Sequence, residues 1–432
     1  MRRRPGLFLT TLLALAPFVR GQVPPLPAAA LHGRLETHDG LRLLRLWGSP
    51  AERGYAHGRL LGAEIAAIVR EEFSARFADK RPLLTQARGA LGRLIEYPED
   101  VAAELDALWQ GLVDSGADRA MPKLERDFDR TDLLVANAMD VFGLMGCSSF
   151  TVWGEQAVGG GVLTARNFDW PLTGPHMLQQ TILVVQHGTY GRAVASVAWP
   201  GYVGTVTGVS SDGMAAYLHV GSGVISYTPE PSSWPTAVAA RAILAAGAGG
   251  GPEKVFAGAR ELLDYTSPPA GFLTHVVLPT VPEHGRPVAV FETDVEECVL
   301  GAAANGPFVV TNHFQTRTDG RSASRDSLGR LEKVQGGIAG CIDVGDHRVD
   351  VDEAWQILRS VERGGGRGFG TLHAIVFRHQ PFVFELRLAT LDERGHIVAA
   401  PSSGARHALT RAQVFGEGVD PVGAAAAGKE AR

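Results

Sequence analysis

Cys147 follows a glycine and opens a short run of β-forming residues, 148–153. A glycine-rich reversal at 154–161 leads into a second such run, 162–168. Folded as a hairpin centred near residues 157 and 158, the two runs set position 147 opposite position 168. That register brings Arg166 and Asp169 close to the thiol. A cation beside a cysteine lowers the thiol pKa, and a carboxylate can orient an amine, so the trio suits nucleophilic catalysis through a thiolate. The same residues also fit a plainer arrangement, a buried small hydrophobe near a surface ion pair.

The elements that must hold this hairpin differ on its two sides. Ser49-Pro50 supplies a capping hydroxyl and then proline at the first helical position. Leu61, Ile65, Ile68, Val69 and Phe73 follow at helical spacing, which predicts an amphipathic helix with one buried face. Further helical patterns cover 82–94, 98–112 and 131–144, the last delivering the chain to Gly146. Residues 35–47 have β character around Asp39-Gly40; otherwise the region before Cys147 reads as helical. Beyond Trp170, strands are predicted at 181–186, 193–199, 214–219, 274–278, 288–291, 298–302, 308–311, 373–377 and 382–388. Helices are predicted at 236–246, 253–265, 324–334 and 352–361. Strands and helices in separate blocks predict an α+β fold whose sheets are covered by helices. The Ala- and Gly-rich tail after Gly416 reads as frayed.

A chain of 432 residues, 45% hydrophobic and 20% charged, can bury a large core, and a net charge of −5 offers no basic footprint for nucleic acid. Residues 1–21 read as a signal peptide, with Arg2, Arg3 and Arg4 ahead of an apolar stretch at 7–19 too short to span a bilayer. Val19-Arg20-Gly21 and Ala28-Ala29-Ala30 are candidate cleavage sites; an uncleaved anchor is the alternative. The protein is therefore expected to be secreted or periplasmic, without a membrane span once mature. Three cysteines fit exported material. Cys298 and Cys341 remain open to two readings, one disulfide or two buried thiols.

Fourteen histidines show no H-E-x-x-H or other ligand spacing, so no metal is expected. His57, His373 and His379 read as ordinary structural residues. The glycine run at 364–370 precedes a strand and no Gly-Lys-Ser/Thr follows, so a nucleotide cofactor is not expected either. The absence of a G-x-S-x-G elbow argues against a serine hydrolase of the α/β class.

The runs Gly146-Cys147-Ser148-Ser149-Phe150 and Arg166-Asn167-Phe168-Asp169-Trp170 together resemble the active-site hairpin of cysteine N-terminal nucleophile (Ntn) hydrolases. The likeness is to the penicillin acyltransferase branch and the related choloylglycine hydrolases, in which a Gly-Cys bond cuts itself and the new N-terminal cysteine attacks amides. The opening Gly48-Ser49-Pro50-Ala51-Glu52-Arg53-Gly54-Tyr55-Ala56-His57-Gly58 is similar too. So are Val309-Val310-Thr311-Asn312-His313-Phe314 and Ser322-Ala323-Ser324-Arg325, the latter followed by Arg330-Leu331. The resemblance covers roughly residues 45–335.

It implies an αββα four-layer sandwich of two antiparallel sheets, with 22–146 as a helical segment and 147–432 as the catalytic region. It implies cleavage between Gly146 and Cys147, with Cys147 as nucleophile and its freed α-amino group as base. Asp169 would hold that amine, Arg166 would favour the thiolate, Asn312 would bind the oxyanion and Arg325 would order the site. Glycine at 146 would tolerate the contorted backbone that self-cleavage needs. One departure stands out: where relatives carry a second oxyanion-stabilising asparagine, the run at 212–219 ends in His219. The implied activity is hydrolysis or transfer of the acyl group of a small linear amide. Two alternatives are a phospholipase B-like ester hydrolase and a non-catalytic secreted binding module. The acyl group, the leaving amine and the oligomeric state stay open.

Overall fold

The computed structural model describes residues 31–142, 146–171, 182–187, 192–221, 233–268, 270–301, 306–317, 323–344, 346–364, 369–392 and 396–416. The expected signal segment at 1–21, Ser322, most of the glycine run at 364–370 and the tail after Gly416 lie outside them.

The chain begins with two strands, β1 (Gly33–His38) and β2 (Leu41–Leu46), and four helices, α1 (Pro50–Phe77), α2 (Arg81–Ala90), α3 (Glu99–Asp114) and α4 (Arg130–Asn137). The hairpin that carries Cys147 is β3 (Gly146–Trp153) and β4 (Val162–Pro171). Four strands follow, β5 (Ile182–His187), β6 (Ala193–Ala198), β7 (Thr207–Ser210) and β8 (Ala215–Val220), then two helices, α5 (Thr236–Ala246) and α6 (Gly251–Thr266). Next come β9 (Phe272–Val277), β10 (Val288–Thr293), β11 (Cys298–Leu300) and β12 (Phe308–Val310), and the helices α7 (Arg325–Ala339) and α8 (Val351–Ser360). The last large elements are β13 (Phe369–Arg378), β14 (Val383–Leu388) and β15 (His407–Thr410).

These strands make two sheets. One runs β1-β2-β5-β6-β7-β8-β9-β10-β11, antiparallel except where β2 lies parallel to β5. The other runs β12-β3-β4-β13-β14-β15 and is antiparallel throughout. Between them lies a core that includes Leu43, Val185, Val197, Val277, Val290, Val310, Ile375 and Phe377. Side-chain alternation buries each sheet's second face as well. Phe150, Val152, Leu163 and Ala165 pack under Val334 and Ile338 of α7 and Trp355 and Leu358 of α8. Val194, Ala216, Val276 and Phe291 pack under Ala239 and Leu244 of α5 and Leu263 of α6. The layers are therefore helix, sheet, sheet, helix: the expected α+β αββα sandwich. Among the described residues no helix is long and apolar enough to cross a membrane.

The segment before Cys147 is not helical alone. β2 belongs to the larger sheet, with Leu41 and Leu43 in the inter-sheet core and Leu44 and Leu46 under the helices. Two glycines of the 48–58 run, Gly54 and Gly58, serve helix packing. A Cβ at Gly54 would lie 2.0 Å from Glu104 O, and one at Gly58 would lie 2.0 Å from Leu108 O, so α1 and α3 touch backbone to backbone. His57 is structural: Gly201 N–H donates to its Nε2 at 2.9 Å. Burial and the nearby Arg241 charge pull its pKa down to about 3.

Candidate active site

The hairpin register sets Cys147 opposite Phe168, Gly146 opposite Asp169 and Ser149 opposite Arg166. Alternation then sorts the side chains. Cys147, Ser149, Arg166 and Phe168 enter the space between the sheets, while Ser148, Asn167 and Asp169 face α7 and α8.

On the inner face, Arg166 Nη2 donates to Cys147 Sγ at 3.1 Å and to Leu218 O at 2.6 Å. Its Nη1 lies 2.9 Å from His219 Nε2. Rings of Phe168 and Tyr217 flank the guanidinium at 5.7 and 5.6 Å. Cys147, Arg166 and His219 are all fully buried. Burial pushes the Cys147 thiol up to about 11, with Arg166 as the strongest pull the other way. The expected lowering by Arg166 is therefore present but outweighed by desolvation in the intact chain.

On the helix face, the backbone of Cys147 is held separately. Its N–H donates to Asn312 Oδ1 at 2.8 Å, and Asn312 Nδ2 donates to Val220 O at 2.8 Å. A backbone N–H can only donate and a carbonyl only accept, so the Asn312 amide orientation is fixed. Arg330 of α7 donates to Cys147 O, to Ser148 Oγ at 2.8 Å and to Asn312 Oδ1 at 2.8 Å. Ser327 accepts the Asn312 N–H at 2.7 Å, linking the end of β12 to the first turn of α7.

Asp169 is fully buried. Thr371 donates to its Oδ1 at 2.7 Å, and Arg363 Nε stands 3.2 Å from Oδ2 as an ion contact without hydrogen-bond geometry. A bulge between Thr371 and His373 aims that hydroxyl. Burial raises the Asp169 pKa, opposed first by the Thr371 hydrogen bond. Gly146 is demanded by space: a Cβ there would lie 2.6 Å from Phe369 Cε1 and 3.2 Å from Asp169 Cβ. Its backbone is not in the left-handed region, so crowding, and not a contorted φ, is the reason for glycine.

No protein-family model matches the chain. An uncharacterized protein of Archaeoglobus fulgidus is 27% identical over 201 residues, which are 41% of this chain and 32% of that protein. Protein dcd1B of Dictyostelium discoideum is 28% identical over 206 residues, 42% of this chain and 39% of that protein. The chain thus spans less than half the length of the curated relatives it matches. Among solved structures it is similar to a mutant of the conjugated bile acid hydrolase from Clostridium perfringens (TM-score 0.40, 10% identity, 61% of this chain and 96% of that one). The Caenorhabditis elegans ortholog of N-acylethanolamine-hydrolyzing acid amidase gives a TM-score of 0.37 at 13% identity, over 54% of this chain and 93% of that one. Penicillin V acylase from Agrobacterium tumefaciens gives 0.34 at 16% identity, over 61% and 91%.

Cys147, Arg166, Asp169, Asn312 and His219 thus converge, and Arg325 does not. Arg325 opens α7 on an exposed face, and Arg330 takes the place expected for it. The buried stripe of α7 is Ser327, Arg330, Val334 and Ile338, and an arginine at a stripe position is the signal that identifies it. Thr371 and Arg363, which hold Asp169, left no comparable local mark. Asn312 grips the Cys147 nitrogen instead of facing the sulfur. Cys298 and Cys341 are both free thiols. Among the described residues no three His, Cys, Asp or Glu side chains are grouped to share a metal ion.

Proposed function

We propose that this protein is a self-processing amidohydrolase or acyltransferase of the cysteine Ntn kind, working through a Cys147 thioester. The observation that carries the reading is that two atoms of one residue are held separately. A buried guanidinium holds the thiol, and an amide oxygen on another strand's end holds the backbone nitrogen. A structural cysteine needs neither; one that must present sulfur and amine together needs both.

In processing, Sγ adds to the Gly146 carbonyl carbon and the 146–147 C–N bond breaks as the nitrogen takes a proton. Water then hydrolyses the thioester, leaving a carboxylate on residue 146 and a thiol with a free α-amino group on Cys147. That amine, with an unperturbed pKa of about 8, accepts the thiol proton as sulfur attacks a substrate amide and passes it to the leaving amine. Water or another nucleophile takes the acyl group from the thioester. Asp169, paired across from Gly146, and Asn312, bonded to the Cys147 nitrogen, are suited to hold the amine. Arg166 offsets charge on the sulfur. Residues 1–21 would direct the chain to export.

Mass spectrometry of the purified protein tests this. Wild type should yield a chain beginning at Cys147 and hydrolyse acyl amides, while Cys147→Ala stays whole and inactive. Amide hydrolysis through Cys147 in a wild type that stays uncut would overturn self-processing, and an uncut, inert wild type would overturn the whole reading.

A further inference from the structure

On the outer face of the larger sheet, turned away from Cys147, α1 and α3 meet α5 around a cleft of about 400 Å³. Val101 of α3, Val194 of β6, Trp234 and Val238 of α5 give it apolar walls. Three cations also line it: Arg53 of α1, Arg192 just before β6 and Arg241 of α5.

The charges at this cleft do not balance. Arg53 and Arg241 share one fully buried carboxylate, Glu104. Both of its oxygens are already taken, Oε2 by Arg241 at 2.5 Å and Oε1 by Gln186 at 2.7 Å. Arg53 stands 3.6 Å from Oε2, beyond hydrogen-bond range. Its Nη1 donates to Gly48 O at 2.7 Å, but its Nε is buried with no partner among the described residues. The whole residue is only 5% exposed. Burial pulls the Arg53 pKa below its usual value, Glu104 pushes it up, and Arg241 pulls it down again. Buried charges are ordinarily paired, and buried donors without an acceptor are rare. The other nearby carboxylates do not fill the gap. Asp100 is exposed to solvent. Asp212 stands 3.9 Å from Arg192 and accepts from the Ser210 hydroxyl and the Ala248 N–H.

We infer that this cleft is a binding site for a small apolar monocarboxylate, its carboxylate held by Arg53 and its apolar body laid along Val101, Val194, Trp234 and Val238. One negative charge is what two guanidinium groups sharing Glu104 lack, and a carboxylate offers a guanidinium two oxygens at once. A phosphate dianion would overshoot that charge. The cleft also has the size and make-up of a small-molecule site, which typically spans roughly 300–1,000 Å³ and is mostly apolar with a few placed polar groups. The site stands apart from whatever chemistry Cys147 performs. Its walls come from both sides of Cys147 in the chain, so an occupant binds only the assembled fold and stabilises it by mass action.

Octanoate serves as the probe, titrated into the full-length protein by calorimetry and followed in parallel as a thermal midpoint. One octanoate should bind at the cleft of each chain, and the midpoint should rise with its concentration. Octanol has the chain without the charge, and inorganic phosphate has the charge without the chain; each should bind roughly tenfold or more weakly, the equivalent of one charged hydrogen bond. Arg53→Met should weaken octanoate by a similar factor. So should Ala242→Trp, which fills the cleft without removing a charge. No octanoate binding to wild type, or unchanged binding to a folded Ala242→Trp, would overturn the site. Octanol matching octanoate would remove Arg53 from recognition, and phosphate matching it would overturn the monocarboxylate assignment. If Arg53→Met does not fold, Ala242→Trp and the octanol comparison in wild type decide.

Discussion

At the scale of single residues, two opposed influences act on the Cys147 thiol: burial raises it to about 11 and the Arg166 guanidinium lowers it. Removing the cation leaves burial less opposed, so in an uncut chain Arg166→Met should move the thiol pKa further up. The thiolate fraction at any given pH then falls, and alkylation rate against pH should shift toward alkali. A profile that stays put would take Arg166 out of this role. Arg330 carries a different load, bridging Cys147 O, Ser148 and Asn312. Arg330→Ala should cost roughly a hundredfold or more in turnover, in the range of losing a preorganised polar group at a reacting centre. Arg325→Ala, on the exposed face of the same helix, should leave turnover unchanged; equal losses in both would refute the assignment. Cys147, Arg166 and Asp169 were legible in the sequence because one hairpin register brings them together. Arg325 was a misreading of a local motif, since a run of letters does not say which face of α7 is buried.

At the scale of elements, the β3–β4 hairpin shows what a short reversal can fix. Its expected pairing, 147 against 168, is the pairing found, because apolar alternation and the glycine turn specify one register. What it could not show is the neighbour on the other side. β13 pairs with β4 from some two hundred residues away in sequence and brings both Thr371 onto Asp169 and Phe369 onto Gly146. The strands β7 and β15 were likewise missed, each only four residues long. The crowding at Gly146 gives a direct test. Gly146→Ala should slow self-cleavage by pressing on Phe369 and Asp169, followed as the fraction of uncut chain over time. Phe369→Ala in the same chain should recover much of the rate, because the nearest obstruction is the edge of that ring. Wild-type processing by Gly146→Ala alone would show that the space is not needed.

At the scale of the whole molecule, the segment before Cys147 and the sandwich after it share one body. β2 is a strand of the larger sheet, and the core under α1 and α3 contains Phe168, Trp170, Tyr202 and Leu218 from beyond Cys147. A buried charge cluster crosses the same boundary. Glu104 of α3, fully buried, accepts from Arg241 of α5 at 2.5 Å and from Gln186 of β5 at 2.7 Å, with Arg53 of α1 at 3.6 Å. No sequence pattern announced this cluster, since its members lie on four elements spread over nearly two hundred positions. Cutting at Cys147 should therefore not separate the two pieces, and processed wild type should run as one particle by size-exclusion chromatography. Glu104→Ala leaves two guanidinium groups buried without their carboxylate, a change that typically costs about 3–5 kcal/mol. In the uncut chain this should appear as a lowered denaturation midpoint with little change in how Cys147 is held. In the cut protein, where no covalent link remains, the same loss should let the piece before Cys147 dissociate on dilution. Were cut Glu104→Ala to stay associated and as stable as wild type, the cluster would not be what holds the two pieces together.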